Sequence, residues 1–93
     1  MEKVAESVYI ATDDRAAGPA AISAGAITAV DDVHGHAGSV TILACRDLER
    51  AMQCVRRAQS RGHHAVVFYD ETAAREFAEG IALGDRTWGA ASP

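Results

Sequence analysis

The stretch from Ser39 to Asp85 runs strand, helix, strand, helix, and that order restricts the chain to architectures in which helices cover a sheet. Val40–Ala44 is a short run of strand-forming residues. Asp47 follows, with a carboxylate suited to capping the first free amides of a helix. Leu48, Ala51, Met52, Val55 and Ala58 then recur at helical spacing, predicting a helix from Asp47 to Arg61 with one apolar stripe. Gly62 stands where a left-handed C-terminal cap is wanted. Ala65–Tyr69 is apolar throughout, which suits a strand covered on both faces. Asp70 caps a second helix from Glu71 to Leu83, with Ala74, Phe77, Ala78 and Ile81 as its buried stripe and Gly84 as its stop.

Upstream, Val8–Thr12 reads as a strand and Arg15–Pro19 as a turn. Residues 17–30 are open between helix and strand, with a strand favoured over about half of 20–30, where Ile27–Val30 suits one. The two glycines at 35 and 38 predict a hairpin tip joining strands at 27–31 and 39–44. Strands 40–44 and 65–69, joined through a helix, are expected parallel, either adjacent or with one strand between them. The expected fold is α+β: a small mixed sheet of about four strands with two helices packed on it. It is ferredoxin-like with an extra C-terminal helix if residues 17–26 are helical, and a three-strand α/β sandwich is the alternative. A chain of 93 residues is expected to form a single domain, with residues 86–93 as a frayed tail.

Charge is unevenly spread. Residues 1–39 hold Lys3 and Arg15 against six acids, residues 40–64 five arginines against Asp47 and Glu49, and residues 65–93 Arg75 and Arg86 against five acids. An overall charge of −4 argues against generic nucleic-acid binding, which needs a basic surface. Ala16–Val30 lacks charge but is too short and too weakly apolar to span a bilayer. There is no secretory leader pattern, and Cys45 and Cys54 form no disulfide framework, so the expectation is a cytoplasmic protein with reduced thiols. The excess of arginine over lysine, with abundant alanine, resembles GC-rich bacterial proteomes.

Three acidic strand ends invite a metal reading: Asp13–Asp14, Asp47 and Asp70–Glu71 could hold magnesium if they gathered at one end of the sheet. Capping already accounts for Asp47 and Asp70. His34 and His36 would face one side of a strand, a common zinc or nickel arrangement, and only one of His63 and His64 could join them. Metal candidates are therefore Asp13, Asp70, His34 and His36, while no cofactor is implied. A thiolate at Cys45 would gain from the helix start beside it, yet its nearest arginine spacing, to Arg50, is one short of a cysteine-phosphatase loop.

Arg46, Arg50, Arg57 and Arg61 recur along the 46–61 segment, with Gln53 filling the gap and Arg56 flanking it. On one helix they share a face, and like charges so placed repel unless something answers them. They are the expected partner-binding residues of a non-enzymatic binding or regulatory module. The partner is an acidic protein, a second copy of the chain, or a small anionic ligand. The alternative is a small metal- or ligand-binding enzyme built on the strand-end carboxylates or the histidines.

Residues 67–85 resemble the end of a family of small actinobacterial proteins of unknown function, often encoded beside helix-turn-helix regulators. Arg75, Phe77, Gly80, Ile81, Gly84 and Asp85 follow the order of that family, whereas Ala74 stands where it has a tryptophan. The resemblance covers about a fifth of the chain and implies a regulator-type protein partner.

Overall fold

The structure, a computed structural model, describes residues 7–17 and 27–84. Among the described residues, four strands and two helices follow one another as β1 (Val8–Thr12), β2 (Ile27–Gly35), β3 (Gly38–Cys45), α1 (Leu48–Ser60), β4 (Ala65–Phe68) and α2 (Glu71–Ala82). The fold is α+β, with strand order β2-β3-β1-β4. Every pairing is antiparallel, so the sheet is not mixed. β3 and β4 do run parallel, as strands joined through a helix should, but β1 lies between them and pairs with each in the opposite sense. This order is compatible with the ferredoxin-like expectation. The helix that version needs before β2, and the expected tail at 86–93, lie outside the described residues.

The two helices cover opposite faces. Ala51, Val55 and Ala58 of α1 pack on Val8, Ile10, Leu43, Cys45 and Ala65. Ala74, Phe77, Ala78 and Ala82 of α2 pack on Ala11, Val40 and Ile42. Successive residues of a strand point to opposite faces, so a sheet covered on both sides needs unbroken apolar runs. That is why Val8–Ala11 and Ala65–Phe68 lack the usual polar alternation. Ile10, Ile42 and Leu43 have no exposed surface, and each contributes about 2 kcal/mol by burial. Phe68 and Phe77 add a tilted ring contact with centroids 5.5 Å apart.

The helix ends follow the local signals. Asp47 accepts the Glu49 amide at 3.0 Å and Asp70 the Ala73 amide at 3.3 Å. At the end of α1, His63 N–H donates to the Ala58 carbonyl and Gly62 N–H to the Gln59 carbonyl, with Gly62 at φ +86°. This pair of hydrogen bonds closes the last turn and uses the conformation only glycine adopts freely. The β2–β3 hairpin is longer than its sequence suggests: β2 continues past Asp31 through Asp32, Val33 and His34, leaving only His36 and Ala37 as the turn. A register break between Ala29 and Asp31 accompanies this extension. The tip docks on the end of α2, where Ala37 N–H donates to the Ala82 carbonyl at 2.8 Å. A Cβ at Gly35 would run into that carbonyl, so the close approach requires glycine.

Candidate functional site

The end of α1 is tied to two strands. Gln59 Nε2 reaches the Ala65 carbonyl of β4 at 2.9 Å. Just past the helix, Arg61 reaches back to the end of β1. Its Nε donates to Asp14 Oδ2 at 3.0 Å and a terminal nitrogen donates to the same oxygen. Arg61 thus serves the fold. Asp14 is 3% exposed and also accepts the Ala16 amide at 3.0 Å. Burial pushes this carboxyl up, but the Arg61 hydrogen bond, the Ala16 amide and the positive charges of Arg61 and His63 outweigh it, holding its pKa below the ordinary 3.8.

Arg50 and Arg57 lie seven residues apart on α1, within ~20° of one another around the axis. Both are exposed. Arg50 is answered by Asp47, the cap of its own helix, at 3.7 Å with both side chains half exposed. Arg56 and Arg57 have no ion pair among the described residues. Arg46 is not on the helix: it occupies the bend after β3, ahead of the cap. The four arginines predicted as one stripe therefore divide. Arg50 and Arg57 share a helical face, Arg46 stands before it, and Arg61 turns to Asp14.

Arg46 instead lines a groove of 540 Å³ at the start of both helices, together with Tyr9, Leu48, Tyr69 and Asp70. The charge there is of both signs. Cys45 lies buried beside it, its thiol donating to the Asp47 carbonyl at 3.1 Å. Cys54 on α1 is half-buried, and burial pushes its thiol up.

The acidic strand ends do not gather. Because β1 runs antiparallel to its neighbours, Thr12 pairs with Thr41 and Ala65, while Val8 pairs with Cys45. Asp13 and Asp14 therefore lie at one end of the sheet, and Asp47 and Asp70 at the other. The magnesium reading assumed a parallel sheet, in which those ends coincide. His34 Nδ1 sits 2.8 Å from the Ser39 hydroxyl across the hairpin. His36 occupies the tip, near Gly84. Among the described residues no three His, Cys, Asp or Glu side chains are placed to hold a metal ion together.

Sequence reasoning missed what does assemble at the Asp13 end. His64 Nδ1 lies 2.9 Å from one Asp13 oxygen and His63 Nδ1 3.4 Å from the other. The His64 amide also donates to Asp13, and its carbonyl accepts the Thr12 hydroxyl. Arg75 was missed too: it bridges Asp31 of β2 at 2.7 Å and Glu71 of its own helix at 2.8 Å. Only the Glu71–Arg75 half of that bridge, at i,i+4, was available from spacing.

Compared with protein-family models, curated proteins and solved structures, the chain matches none of them. Among the described residues, no helix is long and apolar enough to cross a membrane.

Proposed function

We propose that this chain is a binding or regulatory module, and that the outward face of α1 receives an acidic segment of a partner protein. The observation carrying this reading is a contrast among arginines. Arg61 and Arg75 are held by Asp14, Asp31 and Glu71, whereas Arg56 and Arg57 stand exposed and unanswered among the described residues. Repulsion along a helix face is relieved by an incoming acid. Asp13, Asp14 and Asp31, acids of this chain's own N-terminal half, already have internal partners. That favours a foreign acidic segment over the same half of a second copy.

A labelled glutamate-rich peptide tests the reading by fluorescence anisotropy at low and high salt. The expected result is salt-sensitive binding that Arg50→Glu/Arg57→Glu weakens by roughly tenfold or more, with an unchanged circular-dichroism melt. Equal binding by the variant and the parent would sink it.

A further inference from the structure

The two edges of the sheet are built differently. β2 is interrupted by the break between Ala29 and Asp31 and carries exposed Asp31 and Asp32. Bulges and edge charges are the usual ways of preventing strand addition. β4, at the other edge, has a continuous register with β1 and neither charge nor proline in Ala65–Phe68.

The bonding direction of β4 follows from its first pair. Asp13 N–H donates to the His64 carbonyl at 3.3 Å, one step beyond the Thr12–Ala65 pair. Bonding alternates along an antiparallel ladder. Val66 and Phe68 therefore turn their backbone groups toward β1, and Ala65 and Val67 turn theirs outward. The Ala65 carbonyl takes Gln59 from α1, as an outward carbonyl would. Among the described residues, nothing further pairs with the N–H and C=O of Val67, which face the edge. Large apolar side chains are exposed on the strand and just past it: Val66 is 37% and Tyr69 75% exposed. Past the end of the strand, Tyr69 lines the groove at the start of both helices together with Leu48, which is 43% exposed.

We infer that the β4 edge pairs antiparallel with the β4 edge of a second copy, about a two-fold axis at Val67, giving one continuous sheet. Charge argues for this occupant and orientation. His63 and His64 precede the strand, while Asp70 and Glu71 follow it. Antiparallel pairing centred on Val67 sets His64 against Asp70 of the second copy and His63 against its Glu71; each ring, already beside Asp13 in its own chain, attracts the second copy's acid when it carries a proton. A parallel copy would set acid against acid. Such an interface is isologous and closes at two subunits. It is separate from the arginine face of α1.

Sedimentation equilibrium from low to high micromolar concentration tests this. The parent should sediment at twice the chain mass. Val66→Lys and Tyr69→Ala, both at exposed side chains, should each weaken association by roughly tenfold or more while leaving the far-UV circular-dichroism spectrum of the folded chain unchanged. Arg50→Glu/Arg57→Glu should remain dimeric, so loss of peptide binding and loss of the dimer are distinguishable. Hydrogen exchange at the Val67 amide should be slow in the parent and fast in Val66→Lys. A monomeric parent overturns the inference, whether the edge is bare or covered by residues of the same chain. So does a Val66→Lys variant that dimerises as tightly as the parent, or a dimer that only the arginine substitutions disrupt.

Discussion

Where β1 ends, the charged groups reach across the sequence. Asp14 takes Arg61, and Asp13 sits between His63 and His64, so the end of β1 is tied to the exit of α1 and the entry of β4. Where α1 and α2 begin, the charged groups act locally. Asp47 and Asp70 take amides two and three residues away and remain exposed, with Arg46, Leu48 and Tyr69 open beside them. The difference follows from access to water. A carboxylate that is 3% exposed must be answered by the fold. One in solvent needs no partner, and the surface around it stays available for contact.

Asp14→Ala should break this contrast with the largest effect. It removes a buried acceptor and leaves the half-exposed Arg61 guanidinium to water, at a cost of about 2 kcal/mol in urea unfolding. A loss below about 1 kcal/mol would mean that water already serves the site.

Acid titration gives a second, smaller separation. The Asp14 pKa is lower in the folded chain than its ordinary 3.8. The stability it contributes is therefore complete above that value and disappears as pH falls through the lower folded-state value. Asp31, held by Arg75 and the Asp32 amide, is lowered too and acts in the same direction. Asp14→Asn should accordingly lose less stability than the parent as pH drops below ~4. Parallel pH profiles for parent and variant would contradict the assignment.

The caps should show the smallest effect. Asp47→Ala and Asp70→Ala each remove one exposed capping hydrogen bond, Asp47→Ala also a solvent-exposed contact with Arg50, and each should cost about 1 kcal/mol. Because the two caps serve different helices on opposite faces of the sheet, the double variant should be additive within about 0.5 kcal/mol. A strongly non-additive pair would show that this end is coupled as the other is.

Much of the fold was legible because its signals are short-ranged. Asp47 and Asp70 as caps, Gly62 and Gly84 as stops, and the stripes of both helices each involve residues within a few positions of one another, although Leu48, expected in the first stripe, is 43% exposed at the helix start. The strand beginning at Ile27 was legible for the same reason. The candidate site was less so. Arg46 and Arg61 fit the spacing of Arg50 and Arg57, but the cap and the Gly62 closure put them outside the helix. Its period then no longer governs where they point. The partners Asp14–Arg61 and Asp31–Arg75 are 47 and 44 residues apart, and no local period links such positions.

By itself, the sequence determined where the helices start and stop, which of their faces turn inward, and that the strand at 65–68 is covered on both sides. Backbone capping and side-chain periodicity operate over one or two turns of chain, which explains that reach. Tertiary structure alone decided that β1 enters between β3 and β4. That placement reversed the end at which Asp13 and Asp14 emerge, separated them from Asp70, and left β4 at the edge. It rests on strand pairing between residues tens of positions apart, which local preferences do not specify.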